Sequence, residues 1–140
     1  MINFRQYKAS DYFTIKALLE KAGFFDKDRD SAENLAGMIE QNPDSIIVAS
    51  RGKEIIGSVF TVPYGTKVTC LFRLVVKDQF RGQGVGSMLI NKAQEIAVKR
   101  GVVEIGLYVN TKDRDSIKFY RNRGFKSLDK SWIYMWKEVG

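Results

Sequence analysis

The sequence predicts an α/β (α+β) fold, with helices packed on a central sheet that is mostly antiparallel and includes one parallel strand pair. SIIVAS and EIIGSVFTV, joined at Arg51-Gly52-Lys53, have the apolar runs and the tight turn of a β-hairpin. Residues 68–76, VTCLFRLVV, are apolar at nearly every position except Arg73, which is typical of a central strand buried on both faces. A helical stretch separates this strand from VVEIGLYV at residues 102–109, so these two strands are predicted to run parallel.

We expect one domain over residues 1–140. A chain of 140 residues with 44% hydrophobic side chains can build one compact core, and neither repeats nor linkers interrupt it. The single cysteine, Cys70, excludes an internal disulfide, and the lack of histidine excludes a Cys/His zinc site. These features indicate a cytoplasmic protein without a metal. We expect no signal peptide, because the stretch MINFRQYKAS lacks an apolar central region. No apolar run approaches the ~20 residues of a membrane helix.

Three elements are predicted before the hairpin. Residues 2–8 alternate apolar and polar side chains, as in a half-buried strand. Two stretches with apolar residues at helical spacing follow. Pro63-Tyr64-Gly65 is expected to break the chain after the hairpin. The expected boundaries are Ser10 or Asp11 and Gly23 for the first helix, and Asp30 or Ser31 and Asn42-Pro43 for the second.

Three further elements are predicted after the central strand. One helix should end at Lys99-Arg100-Gly101, where cations and a glycine match helix-end chemistry. A short helix over residues 113–123 should follow the strand at 102–109 and stop at Gly124. Residues 126–139 predict one or two antiparallel strands. Their aromatic side chains on one side are expected in the core or, alternatively, in a homodimer interface; they are Trp132, Tyr134 and Trp136.

The formal charge of +7 favours an anionic ligand or partner. Basic residues concentrate at Lys118, Arg121, Arg123 and Lys126, which are equally explained as a solvated surface. Nucleic-acid binding is an alternative reading of this charge, but no recognition motif supports it, so we do not expect it.

The stretch QFRGQGVGS, residues 79–87, has three alternate glycines between the predicted central strand and a helix. Bare backbone at a helix start leaves N–H groups pointing outward, and these groups bind phosphate. The alternative is a tight turn without a ligand. The dinucleotide-binding spacing is absent because residue 87 is Ser87, and the P-loop lysine is also absent.

This stretch resembles the pyrophosphate motif of the GNAT superfamily of acetyl-CoA-dependent N-acetyltransferases. The motif appears as Arg81-x-x-Gly84-x-Gly86, after the strand residues Leu74-Val75-Val76. A second family block appears downstream, with the spacing of the family preserved. It reads Asp113-x-x-Ser116-x-x-x-Tyr120-x-x-x-Gly124-Phe125, with Asp113 for the usual Asn and Ser116 for the usual Ala.

The resemblance implies the GNAT fold, with two splayed parallel strands and about four helices, and acetyl-CoA as cosubstrate. It implies direct transfer of the acetyl group to a primary amine of a small molecule or peptide. Tyr120 would be the general acid and the Val76 N–H the oxyanion donor. The implied cofactor-binding residues are Leu74, Val75, Val76, Arg81, Gly82, Gln83, Gly84, Val85, Gly86, Ser87, Asn110, Asp113, Ser116 and Tyr120.

The general base is left unassigned. Some family members carry a glutamate in the central strand where this chain has Cys70, and Glu54, Glu104 or a water chain are alternatives. The missing carboxylate also allows a non-catalytic acyl-CoA-binding module of the same fold.

The acidic run at Asp26, Asp28 and Asp30 lies between the first two predicted helices. It suggests either a solvated loop with a helix cap or, by the resemblance, an acidic entrance for a cationic acceptor.

Overall fold

The computed structural model describes residues 1–127 and 133–140. They form two compact units, Met1–Leu107 and Tyr108–Gly140. The first unit contains a five-stranded sheet and three α-helices, and the described part of the second contains one α-helix. No helix of the described residues is long and apolar enough to cross a membrane.

The sheet of the first unit has the strand order β1-β2-β3-β4-β5. Its neighbours are antiparallel except for β4 and β5, which are parallel and joined by α3. This topology confirms the predicted fold class. In chain order the elements are β1 (Ile2–Gln6), α1 (Tyr12–Lys21), α2 (Ala32–Gln41), β2 (Ile46–Arg51), β3 (Glu54–Tyr64), β4 (Val68–Val76), α3 (Val85–Lys99), β5 (Glu104–Leu107) and, in the second unit, α4 (Arg114–Arg121).

The core of the first unit forms where α1 and α2 cover the sheet. Ile15, Leu19 and Leu35 from these helices are completely buried in one cluster with Val48 and Phe60 of the central strands. Consecutive residues of β2 and β3 are buried, as expected for strands covered on both faces. Burial of these side chains is the main favourable free energy that holds the unit together.

The chain turns at Gly65, within the expected break at Pro63-Tyr64-Gly65, but Pro63 and Tyr64 still belong to β3. β3 runs to Tyr64, and Pro63 pairs with Thr69 in β4. The N–H of Thr61 donates to the Ser45 carbonyl, on the β2 side of the strand. Position 63 faces the same edge but lies beyond the start of β2 at Ile46, so the N–H that proline lacks breaks no sheet hydrogen bond.

Of the side-chain caps predicted for α1 and α2, only the cap of α2 forms. The Ser31 hydroxyl accepts a hydrogen bond from the Asn34 N–H at 3.1 Å and caps α2. Asp11 is the residue before α1, but its side chain makes no cap hydrogen bond to that helix. Its carboxylate instead accepts two hydrogen bonds from Arg5 at 2.7 and 2.9 Å and one from the Lys8 N–H at 2.9 Å.

The C-terminal elements are shorter than predicted. β5 covers only four residues, and the described residues 126, 127 and 133–140 contain no strand. Tyr134 and Trp136 are 73% and 68% exposed, so their expected place in the core is wrong. Trp132 and the rest of the predicted strand at 128–132 lie outside the described residues.

We predict that Gly57→Ala destabilises the protein. A Cβ at residue 57 of β3 would lie 2.7 Å from the Val75 carbonyl oxygen and 3.3 Å from Leu89 Cδ1 in α3. Overpacking of this kind costs about 1–3 kcal/mol, measurable by urea unfolding. Gly37→Ala in α2 is the control, because its Cβ would meet nothing within 4 Å and alanine favours the helix. Equal stability of the two variants would contradict the prediction.

Candidate functional site

The second half of β4 has a free edge. β5 pairs with β4 only from Val68 opposite Glu104 to Leu71 opposite Leu107. Because β5 ends there, residues 72–76 of β4 are paired on the β3 edge alone among the described strands. Backbone N–H and C=O groups on such an edge are available to an extended ligand, which can bind as an added strand.

The direction of the β4 backbone places the Val76 N–H on this free edge. The N–H of Lys77 donates to the Ile56 carbonyl in β3 at 2.7 Å. Successive N–H groups of an extended strand point to opposite edges, so the Val76 N–H points away from β3. The strand therefore ends with a hydrogen-bond donor available at its open side.

A β-bulge interrupts β4 within this free stretch. Ser58 is opposite Val75 and Phe60 is opposite Phe72, so Val59 alone faces both Arg73 and Leu74. Arg73 has a φ of 52°, and no other non-glycine residue of the described chain has a positive φ. Holding a non-glycine residue there costs about 1–3 kcal/mol, which surrounding interactions must offset.

The glycine-rich turn joins the end of β4 to α3. A 3₁₀ turn at Asp78–Phe80 is followed by Gly82 and Gly84 with φ angles of 75° and 80°, and α3 starts at Val85. A Cβ at either glycine would meet nothing within 4 Å, so glycine is required by the backbone angles and the space above the turn is open.

The N–H groups of this turn suit an anionic ligand. The Met88 N–H donates to the Gly84 carbonyl, so the amides of Val85 and Gly86 precede the intrahelical ladder. They add to the positive end of the dipole of α3, a helix of 15 residues. The Arg81 N–H, however, donates to the Asp78 carbonyl, so the available amides begin after it.

The side chain of Arg81 bends back toward the end of β4. Its Nε lies 3.4 Å from the Val76 carbonyl oxygen and 3.3 Å from the carboxylate of Asp78. Lys21 pairs with the same carboxylate at 3.1 Å, and this hydrogen bond is the main reason that the pKa of Asp78 is lowered. Two cations share one carboxylate, so the turn keeps a positive excess next to its amides.

In the second unit, Asp113 and Ser116 form one local interaction. The Asp113 carboxylate accepts from the Ser116 N–H at 3.1 Å and from the Ser116 hydroxyl at 2.7 Å. The hydroxyl bond and then the N–H bond lower the pKa of Asp113. Asp113 caps α4 as predicted, and the two residues that depart from the family pattern are hydrogen-bonded to each other. Asn110 belongs to the same turn, with its carbonyl accepting from the Asp113 N–H.

Tyr120 lies near the end of α4. Its ring packs edge to face against Phe119 and Phe125, with centroids at 5.2 and 5.6 Å. The Phe125 N–H donates to the Tyr120 carbonyl beyond Gly124, whose φ is 89°, as in the predicted helix end. Burial, and secondarily the charge of Asp113, raise the pKa of Tyr120, so its phenol is protonated at neutral pH and can act as a proton donor.

The structure narrows the candidates for a general base. Glu54 is ion-paired with Lys77 at 2.5 Å. Glu104 is opposite Val68, at the other end of β4 from the free edge. Cys70 pairs with Gly106 in the part of β4 that β5 covers. None of these three side chains lies on the free stretch of β4.

Sequence reasoning missed the ion pair between Arg73 and Asp30. Arg73 Nε and Nη2 donate to the two carboxylate oxygens of Asp30 at 3.1 and 2.9 Å. Asp30 is buried, so it does not belong to an acidic entrance. Asp26 accepts from the backbone N–H groups of Asp28 and Arg29, as an acidic residue in a solvated loop does. The available signal was Arg73 itself, since a single charge in an apolar strand requires a partner.

Thus the predicted site residues fall into two groups. Those from Leu74 to Ser87 lie in the first unit, on the free end of β4 and the glycine turn. Asn110, Asp113, Ser116 and Tyr120 lie in the second unit, on α4 and the turn before it. Within its own unit, each group lies on consecutive segments of the chain.

Known proteins resemble this chain along most of its length. The sequence profile of the acetyltransferase (GNAT) family matches residues 10–125. An uncharacterized N-acetyltransferase of Methanocaldococcus jannaschii is 39% identical over 75 residues, 52% of this chain and 33% of that protein. N-acetyltransferase 8F1 of Rattus norvegicus is 30% identical over 102 residues, 69% of this chain and 46% of that protein. The matched region thus spans between about a third and a half of these relatives.

A solved structure shares the fold. The crystal structure of PaiA N-acetyltransferase from Thermoplasma acidophilum in complex with coenzyme A has a TM-score of 0.81 with this chain. The two are 23% identical, and the superposition covers 94% of this chain and 93% of that one.

We predict that Ser116→Ala raises the pKa of Asp113 toward the value of an ordinary aspartate, because the hydroxyl is the strongest donor to its carboxylate. A carboxyl-detected NMR titration measures this change. A depressed folded-state pKa means that the cap stabilises the protein above the unfolded pKa and loses this effect as the pH falls through the folded value. In the variant this loss should occur at higher pH. Ser127→Ala, a neighbouring serine in the second unit, is the control, and an equal shift in both would disprove the assignment.

Proposed function

The chain belongs to the acetyltransferase (GNAT) family, and we propose that it transfers the acetyl group of acetyl-CoA to a primary amine by direct attack in a ternary complex. The observation that carries this proposal is the free edge at residues 72–76 of β4, followed by a glycine turn with open backbone amides at the start of α3. We further propose that residues 1–140 act as one acetyltransferase domain, since the family match at 10–125 includes parts of both units.

The free edge and the turn fit the two polar parts of acetyl-CoA. Backbone groups of Leu74 and Val76, on the edge away from β3, would pair with the amides of the pantetheine arm, as an added strand does. Val75 lies between them, opposite Ser58 of β3. The pyrophosphate would bind the amides after Arg81, where the missing Cβ atoms of Gly82 and Gly84 leave room. The proposed pyrophosphate contacts are Arg81, Gly82, Gln83, Gly84, Val85, Gly86 and Ser87.

The second unit would contribute α4 and the turn before it. Asn110, Asp113, Ser116 and Tyr120 are proposed to bind the cofactor. Since both Asp113 oxygens accept from Ser116, we assign Asp113 chiefly to capping the helix. We keep Tyr120 as the proposed proton donor, because its phenol is protonated at neutral pH and its position in the family block is preserved.

Acetyl transfer requires a neutral amine, stabilisation of the oxyanion and a proton for the departing thiolate. The Val76 N–H, which points away from β3, would donate to the thioester carbonyl as negative charge develops on its oxygen. Tyr120 would donate its proton to the thiolate. β4 contains no carboxylate side chain that could act as the general base. We therefore propose that the ammonium proton leaves through water.

A second candidate function is acyl-CoA binding without catalysis. It is favoured by one observation, the missing carboxylate in β4. Both functions require the same cofactor site, so binding of acetyl-CoA does not separate them. Release of the free thiol in the presence of an amine does.

The decisive experiment measures thiol release from acetyl-CoA with polyamines, amino acids, aminoglycosides, peptide N-termini and lysine peptides. We expect at least one class to be acetylated. Binding of acetyl-CoA in calorimetry without thiol release for any amine would instead support the non-catalytic module. Absence of both would refute the cofactor site itself.

With an acetylated amine in hand, Tyr120→Phe should lower kcat by about 10²-fold or more, because it removes the proton donor to the thiolate. The affinity for acetyl-CoA should change little. Tyr108→Phe is the matched control, since Tyr108 belongs to the same unit and is 81% exposed. An unchanged kcat in Tyr120→Phe would remove the acid role.

Gly84→Ala should weaken acetyl-CoA binding about tenfold or more, because alanine resists the φ of 80° and moves the amides at the start of α3. Gly101→Ala is the control at the other end of α3, with a φ of 79° and an equally open Cβ position. Both variants should lose about 1–2 kcal/mol of stability, but only Gly84→Ala should lose affinity. Calorimetric titration with acetyl-CoA distinguishes them, and equal affinities would exclude the turn from the site.

A further inference from the structure

Arg73 combines a strained backbone with a buried charge. Its φ of 52° lies in the left-handed region, and it forms the bulge opposite Val59. Strained residues of this kind persist only where neighbouring groups determine their conformation, and they concentrate at functional sites. The bulge lies inside the free stretch of β4, at residues 72–76.

The guanidinium of Arg73 is held by a bidentate ion pair. Nε and Nη2 donate to the two carboxylate oxygens of Asp30 at 3.1 and 2.9 Å. The side chains are 18% and 2% exposed, so water screens the pair weakly. The geometry matches the fork of arginine to a carboxylate, which fixes orientation as well as distance.

Asp30 also organises the loop between α1 and α2. One of its carboxylate oxygens accepts from the Asp26 N–H at 2.9 Å, and its own N–H donates to the Asp26 carbonyl. The Tyr12 hydroxyl donates to the Asp30 carbonyl at 2.9 Å. The ring of Phe24, in the same loop, lies 5.9 Å from the Arg73 guanidinium carbon. Asp30 therefore connects the loop, α1 and the bulge of β4.

We infer that the Arg73–Asp30 pair is a positioning element that fixes the loop at residues 23–31 against the bulge of β4 and thereby forms the surface that the amine acceptor meets. This inference rests on the proposed function, because it places the acetyl group beside residues 72–76. Arg73 and Asp30 are positioning residues and need not contact either substrate.

The exposed side chains next to the pair indicate the character of that surface. Phe24 of the loop and Phe72 of β4 are 45% and 38% exposed. The charge of Arg73, which lies against the Phe24 ring, is neutralised by Asp30. We therefore expect this surface to bind an amine acceptor that carries an apolar group better than an acceptor that carries an acidic group.

The test uses two single variants and their combination. Asp30→Asn removes the carboxylate charge. Arg73→Gly removes the guanidinium but keeps the bulge, because glycine adopts a φ of 52° without strain. The double variant leaves no unpaired buried charge, so it reports on the loop even where a single variant unfolds. Asp11→Asn is the control, since it weakens another bidentate arginine–aspartate pair of the first unit.

Hydrogen exchange at the amides of Asp26 and Asp30 measures the loop directly. We expect exchange to accelerate about tenfold or more in the variants of the pair, because the loop loses its anchor. The acceptor KM should rise about tenfold or more, with less than about threefold change in the Kd for acetyl-CoA. Asp11→Asn should leave all three quantities near their wild-type values.

Unchanged exchange and unchanged acceptor KM in the double variant would overturn the inference, as would a loss of acetyl-CoA affinity equal to the rise in KM. The proposed function fails in a different way. If the wild-type chain acetylates no amine, the acceptor role of the surface is refuted, and the exchange rates still decide whether the pair holds the loop.

Discussion

The candidate site depends on one constraint: the backbone N–H and C=O groups at the end of β4 need hydrogen-bond partners. An interior strand normally satisfies both edges within the sheet. Here β5 ends at Leu107 opposite Leu71, and β4 continues for five residues to Val76. The chain thus leaves donors and acceptors for an extended ligand in line with the turn that leads into α3.

The fold and the glycine turn of the candidate site could be predicted from sequence because their signals are local. Alternating apolar residues, a two-residue turn and helix-end glycines each act through neighbours in the chain. The glycine turn was found because Gly82 and Gly84 must adopt positive φ angles, which few residues tolerate. The cap of α4 could also be predicted, because Asp113 accepts a hydrogen bond from Ser116, which is only three residues away in the chain.

The features missed from sequence depend on residues far apart in the chain. Arg73 and Asp30 are separated by 43 positions and meet only when the sheet and the loop are both formed. Pro63 was read as a strand break because local chemistry cannot show that β2 begins too late to need its N–H. The exposed Tyr134 and Trp136 have the composition of a core strand, and only the packed structure shows that they are not buried.

The bulge at Arg73 changes how side chains along β4 are assigned to the two faces of the sheet. Phe72 is opposite Phe60 and Val75 is opposite Ser58, and residues 58 and 60 of β3 share one face. Phe72 and Val75 therefore share a face although they are three residues apart, and simple alternation inverts beyond residue 73. A mutant library designed on regular side-chain alternation through β4 would assign the residues after Arg73 to the wrong face of the sheet. Engineering of this strand should group Phe72 with Val75, and it should leave unchanged Leu74 and Val76, whose backbones are proposed to bind the cofactor.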